Sequence, residues 1–98
     1  MTEREELLRS PEFWFTSAQI YLYGALSVFM TKNRLSVDEM AKRAEVTKRQ
    51  IKQTLNGDFN QSLYTLAKIA LACGVAPVIE FKPIEDVIEE DELKANGK

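Results

Sequence analysis

A short stretch in the middle of the chain carries closely spaced side chains that donate hydrogen bonds. They are Thr47, Lys48, Arg49, Gln50, Lys52 and Gln53. On a helix, spacings of three and four residues bring side chains to one face. Arginine and lysine can pair with guanine, and glutamine with adenine, at the edges of base pairs. Taken singly, each residue could be a solvated surface side chain, but the set on this spacing predicts contact with double-stranded DNA.

Further polar residues around this stretch have the chemistry to bind phosphate. Thr47 and Asn56 would lie at the two ends of the helix, where phosphates are commonly contacted. Lys32, Arg34 and Lys42 could neutralise backbone phosphates alongside. We therefore count these residues among the predicted DNA-binding residues.

Two helix starts with the same signature precede and begin this stretch. Ser36 with Glu39, and Thr47 with Gln50, have the spacing of capping boxes, in which each side chain bonds the other residue's backbone N–H. Asn56 and the glycine after it tolerate the conformation found at helix ends. The pattern predicts two short helices within a helix-turn-helix motif at residues 36–56.

Three apolar residues have the spacing needed to set these two helices at a steep angle. Ala41 is small where the helices pass closest, Val46 fills the turn, and Ile51 anchors the second helix in the core. The outer face of the second helix is then left free. Helices presented in this way enter the major groove of DNA with their N-terminal residues at base edges.

The charge distribution agrees with this interpretation better than the net charge of −2 does. Residues 31–56 contain seven basic and three acidic side chains, whereas residues 80–98 contain seven acidic and three basic ones. A basic centre is therefore flanked by acidic ends. We expect a charged lead-in at 1–9, a DNA-binding domain at 10–83 and an acidic tail at 84–98.

A long helix is predicted before the motif, from the start signal Ser10-Pro11-Glu12 to about Lys32. It is apolar on several sides, with stripes that include Phe15, Leu22 and Phe29 on one side and Trp14, Tyr21 and Val28 on a neighbouring one. Two interpretations stay open. The helix has a wide core face, or part of its aromatic surface is a dimer interface.

The segment after the motif changes character twice. Residues 62–73 have a helical stripe that includes Leu66, Ile69 and Cys73. Residues 77–82 alternate apolar and polar side chains between prolines, which predicts a short edge strand. A lone strand needs a partner. We therefore expect a homodimer formed through the long helix, through strand 78–82 paired with a second protomer, or through both.

Several classes of function lack the residues they need. The chain has one cysteine and no histidine, so we expect no disulfide within it, no metal and no cofactor. Neither a membrane-spanning apolar run nor a secretory leader is evident, and we expect a cytoplasmic protein. The acidic run at 89–92 is typical of a solvated helix face. Without a glycine-rich phosphate loop or a nucleophile–base pair, the sequence does not predict an enzyme.

The segments 35–57 and 62–75 together resemble the lambda-repressor-like (Xre) helix-turn-helix family. The resemblance rests on the helix pair, the Asn56-Gly57 stop and the Ser62-Leu63…Leu66…Ile69-Ala70 helix, in that order. It implies a mainly all-α bundle that binds a palindromic operator as a homodimer. It also extends to antitoxins of the HigA type, which repress their own promoter and bind a toxin protein.

Three features depart from the family pattern. Glu45 stands where glycine is usual, so the turn is either slightly strained or adopts an ordinary helical conformation. Val37 replaces a glutamine that commonly touches phosphate, and the predicted strand takes the place of the fifth helix. The alternative function is a protein-interaction module that retains the fold without binding DNA, and salt-dependent binding to duplex DNA would discriminate the two.

Overall fold

Every regular element is an α-helix in a computed structural model that describes residues 2–58 and 60–96. The helices are α1 (Glu3–Leu8), α2 (Pro11–Lys32), α3 (Val37–Ala44), α4 (Lys48–Leu55), α5 (Leu63–Ala72) and α6 (Ile84–Asn96). None of them is both long and apolar enough to cross a membrane, within the described part of the chain. The chain divides into two compact units, residues Ala18–Val78 and residues 1–17 with 79–98.

The two helix starts of the motif form as the sequence predicts. At α3, Ser36 Oγ accepts from Glu39 N at 3.1 Å and Glu39 Oε1 accepts from Ser36 N at 2.9 Å. These reciprocal bonds satisfy two backbone donors that a helix start leaves unpaired. The backbone N–H and the hydroxyl of Ser36 hold the pKa of Glu39 below its ordinary value. The predicted capping box is therefore confirmed.

The core of the Ala18–Val78 unit is small and lies among four helices. Its buried side chains come from α2, α3, α4 and α5, namely Leu26, Met40, Ala41, Ala44, Ile51 and Ile69. Helix α3 packs on both α4 and α5. Leu22 and Phe29 of α2 add partly buried surface. Burial of each large apolar side chain contributes roughly 1.5–3 kcal/mol, so this cluster fixes the orientation of the helix pair.

In the other unit, a bidentate ion pair joins α1 to α6. Helix α1 packs against α6, where Arg4 donates from Nε and Nη2 to the two carboxylate oxygens of Asp91, each at 2.9 Å. The hydrogen bond from Arg4 is the main cause of a lowered pKa at Asp91. Trp14 Nε1 donates to the Leu8 carbonyl at 2.7 Å, and Leu8 is buried.

The predicted C-terminal strand is wrong. Residues 75–83 contain no regular structure, and the side chains of Val78 and Phe81 are 87% and 94% exposed. A β-strand needs hydrogen bonds to the backbone of a neighbouring strand, and none of the residues that the structure describes belongs to such a strand. Prolines at 77 and 83 also lack the N–H needed for a ladder. After Pro83 the chain enters α6, so the predicted strand-to-strand contact between protomers has no strand to build on.

Candidate nucleic-acid interface

The turn between α3 and α4 is built around the three apolar residues that the sequence singled out. Ala41 and Ile51 are 3% and 0% exposed, and Val46 packs partly buried against the same core. Val46 N donates to the Ala41 carbonyl at 3.0 Å. These contacts hold α4 against α3, with the side of α4 that carries Ile51 facing the core.

The outward side of α4 carries the basic residues. Lys48, Arg49 and Lys52 are exposed, whereas Ile51 and Thr54 are fully buried. Gln53 is half-buried. Because inward and outward residues alternate at helical spacing, three cations project from a rigid helix into solvent.

Two predicted contact residues are also part of the second capping box. Thr47 Oγ1 accepts from Gln50 N at 3.1 Å, and Gln50 Oε1 accepts from Thr47 N at 2.9 Å. While this box is intact, Thr47 N occupies one lone pair of the Gln50 side-chain oxygen, so Gln50 can offer its two amide N–H groups and one remaining lone pair to a ligand.

An ion pair joins the start of α4 to the start of α3. Lys48 Nζ lies 3.1 Å from Asp38 Oδ1, and the two side chains are 62% and 60% exposed. An exposed pair of this kind contributes about 0.2–1 kcal/mol and is screened by salt. A phosphate could therefore compete for the Lys48 ammonium.

The predicted phosphate-binding residues are all exposed, but they lie on different elements. Lys32 ends α2, Arg34 follows it with a φ of 53°, and Asn56 is the C-cap of α4. Lys42 on α3 shares a shallow open groove with Lys48. The acidic residues Asp38 and Glu45 line the same groove, which offsets part of its positive charge.

Comparison with known families agrees with this geometry. The family model of the Cro/C1-type HTH DNA-binding domain matches residues 25–83, more than half of the chain. The chain belongs to this family. The search of curated proteins and the search of solved structures found no match.

The turn of this Cro/C1-type domain settles the question that Glu45 raised. Glu45 is the C-cap of α3 with φ 57° and ψ 44°, so it adopts the left-handed conformation that glycine favours. Its carbonyl accepts from Lys68 Nζ at 2.9 Å. A lysine ammonium thus lies at the C-terminal end of α3, where a positive charge is favourable.

Several residues that position α4 were missed by sequence reasoning. Thr54 Oγ1 donates to the Gln50 carbonyl and accepts from Gln61 Nε2, each at 2.9 Å. The side-chain amide of Gln19 donates to the carbonyl of Gly57, just after α4. The bonds from Gln61 and Gln19 reach α4 from outside that helix, over 7 and 38 residues of sequence, so helical periodicity gives no signal for them.

Two further observations concern side chains outside the α4 face. The guanidinium of Arg43 lies 5.4 Å from the ring centre of Phe29, a cation–π contact between α3 and α2. Cys73 is half-buried against the core, and burial raises the pKa of its thiol. Among the residues that the structure describes, no group of three or more His, Cys, Asp or Glu is arranged to hold a metal ion.

Proposed function

We propose that the protein is a sequence-specific transcriptional repressor that places α4 in the major groove of operator DNA. The observation that carries the proposal is the set of exposed cations on the outward side of α4, opposite buried Ile51 and Thr54. Helices presented in this way direct their N-terminal residues toward base edges. Membership of a DNA-binding family supports the same role.

Within this proposal the predicted residues take different roles. Arg49 is exposed and is proposed to read guanine, with Gln53 and Lys52 beside it on α4. Lys48 would leave its ion pair with Asp38 to contact a phosphate or base edge. Gln50 and Thr47 would keep the start of α4 in place while donating their remaining N–H and O–H groups to the DNA. The proposed phosphate contacts are Lys32, Arg34, Lys42 and Asn56.

A homodimer on a palindromic operator completes the proposal. Helix α2 supports it, because several of its large apolar side chains lie in solvent, among them Tyr21 at 81% and Val28 at 65% exposure. Contiguous exposed apolar surface of this kind is typical of protein–protein contacts. Two copies would present two α4 helices to successive major grooves.

The antitoxin hypothesis and the interaction-module alternative concern partners other than DNA. A toxin protein is implied only by the family resemblance and stays a prediction, tested by co-expression with a small neighbouring gene. The interaction module is favoured by the acids at Asp38 and Glu45 beside the α4 face. It predicts no steep salt dependence of duplex binding, whereas the repressor requires one.

The decisive experiment compares two charge reversals on a duplex selected from a random library by the purified protein. Arg49→Glu should weaken binding to the selected duplex at least about 100-fold, because it removes a bidentate base contact and repels phosphate. Lys94→Glu makes the same change in net charge at an exposed residue of α6 and should leave the affinity within about threefold. Circular dichroism would check that both variants retain the helical fold.

Each outcome bears on the proposal. Loss of binding in Arg49→Glu alone supports α4 as the reading helix. Equal affinities of Arg49→Glu and the unaltered protein would contradict it, and equal losses in both variants would reduce the role of α4 to general charge. If the unaltered protein binds no duplex, the interaction-module alternative replaces the repressor.

A further inference from the structure

The turn between α3 and α4 has a backbone conformation that its residue type disfavours. Among residues 2–58 and 60–96, φ is positive at two glycines, Gly57 and Gly74, and at two residues with side chains, Arg34 and Glu45. Of these, Glu45 lies directly between the two helices of the motif. A residue with a Cβ populates this left-handed conformation roughly 5- to 30-fold less than the right-handed one. Such a residue persists only where the surrounding structure favours it.

A lysine side chain from another helix binds the backbone at this turn. Lys68 Nζ on α5 donates to the Glu45 carbonyl at 2.9 Å, across 23 residues of sequence, and lies 5.1 Å from the centre of the Tyr64 ring. Lys68 is half-buried, and the next residue, Ile69, is fully buried in the core. The ammonium group is therefore held by a helix whose own position is fixed by core packing.

The peptide group that follows Glu45 is held from both sides. Its carbonyl oxygen accepts from Lys68, and its N–H, which belongs to Val46, donates to the Ala41 carbonyl at 3.0 Å. Because a peptide group is planar, hydrogen bonds at its two ends fix its orientation and with it the ψ of Glu45, 44°. The direction in which the chain leaves α3 for α4 depends on this angle.

We infer that Lys68 is a positioning residue for DNA binding, which makes up for the missing glycine of this turn. The inference rests on the proposed repressor and names the residue that keeps α4 in its binding orientation. Without the Lys68 hydrogen bond, the peptide group after Glu45 turns toward orientations that a residue with a Cβ prefers, and α4 follows it. A protein whose binding-competent conformation is only partly populated loses affinity by that fraction.

This loss should fall on base contacts more than on phosphate contacts. Hydrogen bonds to base edges need a fixed geometry, whereas attraction to phosphates depends on charge and tolerates small shifts of α4. Lys68→Met should therefore weaken binding to the selected duplex about 10-fold and leave binding to a duplex of unrelated sequence within about threefold. Lys94→Met on α6 removes the same charge elsewhere and should leave both affinities within about threefold. Circular dichroism would check that both variants are folded.

Glycine at residue 45 provides the rescue that distinguishes positioning from direct contact with DNA. Glycine adopts the left-handed conformation about as readily as the right-handed one, so it does not need the Lys68 hydrogen bond. Adding Glu45→Gly to Lys68→Met should restore the affinity for the selected duplex to within about threefold of the unaltered protein. If Lys68 contacts a phosphate instead, glycine restores nothing, and Lys68→Met makes the salt slope shallower by about 0.9 per protomer.

Hydrogen exchange measured by NMR reports on the turn without DNA. Exchange of the Val46 N–H should be about fivefold or more faster in Lys68→Met, because the peptide group after Glu45 is then held from one side only. It should return close to its original rate when Glu45→Gly is added. The Asp58 N–H, which donates to the Gln53 carbonyl at 2.8 Å after α4, is the control within the same protein and should exchange at an unchanged rate.

The possible results separate the role of Lys68 from the repressor proposal. Unchanged exchange at Val46 in Lys68→Met would overturn the role of Lys68 in the turn. Faster exchange with an unaltered preference for the selected duplex would overturn its role in DNA binding, as would equal losses on both duplexes that glycine does not rescue. If the unaltered protein binds no duplex, the repressor itself fails, and exchange at Val46 still decides whether Lys68 fixes the turn.

Discussion

Replacing Glu45 by glycine should stabilise the protein, although Glu45 lies at a tight turn of the motif. Its φ of 57° and ψ of 44° place a residue with a Cβ in the left-handed region. That conformation costs roughly 1–2 kcal/mol for an L residue other than glycine. The conformational cost disappears in Glu45→Gly, and the backbone carbonyl that accepts from Lys68 is retained.

The expected gain follows from three contributions. Relief of the left-handed conformation contributes about 1–2 kcal/mol, and the added freedom of glycine in the unfolded chain subtracts about 0.4–1 kcal/mol. Removing a carboxylate from the C-terminal end of α3 adds about 0.3–1 kcal/mol, less in salt. The net increase in the free energy of unfolding is about 1 kcal/mol. In a domain of this size it raises Tm by roughly 4–8 °C.

Thermal and urea unfolding followed by circular dichroism would measure this gain. Glu45→Gln removes the charge and keeps the strain, and Glu45→Ala removes the side chain beyond Cβ and keeps the strain. We expect the glycine variant to be the most stable, with the alanine and glutamine variants above the unaltered protein by only the roughly 0.3–1 kcal/mol that loss of the carboxylate contributes. A glycine variant no more stable than the alanine variant would refute the strain argument.

Three other predictions concern single side chains. Thr54→Val should lower the free energy of unfolding by about 1–2 kcal/mol, because the Gln61 amide loses its shortest hydrogen-bond acceptor. Thr54→Ser should retain the hydrogen bonds. Urea denaturation would measure both variants. The stability that Glu39 contributes is present above its ordinary pKa of 4.5 and is lost as pH falls through its lowered pKa in the folded state. Glu39→Gln, which keeps a hydrogen-bond acceptor, should therefore lose less stability in acid. If the variant and the unaltered protein depend on pH in the same way, the capping box does not have this role. Cys73, whose thiol pKa is raised by burial, should react with iodoacetamide more slowly in the folded than in the urea-unfolded chain, and equal rates would be inconsistent with its burial.

Local signals in the sequence predicted the motif well. Ser36 with Glu39 and Thr47 with Gln50 form reciprocal hydrogen bonds three residues apart, so composition and spacing alone specify both helix starts. The small Ala41 and the buried Ile51 likewise follow from helical periodicity. Interactions within one turn of a helix can be predicted from the sequence because the chain itself fixes the distance between the partners.

Interactions between residues that are far apart in the sequence could not be predicted in the same way. Thr54 looks like a surface residue in the sequence, yet it is fully buried because Gln61 supplies a partner from the following loop. The alternating residues of 77–82 have strand-like composition, but strand formation depends on a second backbone. For a related reason, the sequence of the long apolar helix does not indicate which of its apolar side chains are buried: Leu26 is buried, whereas Tyr21 is exposed.

In the proposed complex, the α4 face and the cations around it neutralise DNA phosphates. The salt dependence of duplex binding by the unaltered protein tests it most directly, measured by fluorescence anisotropy over a series of salt concentrations. With Lys32, Arg34 and Lys42 contacting phosphate in each of two protomers, the slope of log K against log salt should be roughly −5. A slope near zero, or no binding at low salt, would contradict phosphate neutralisation by these residues.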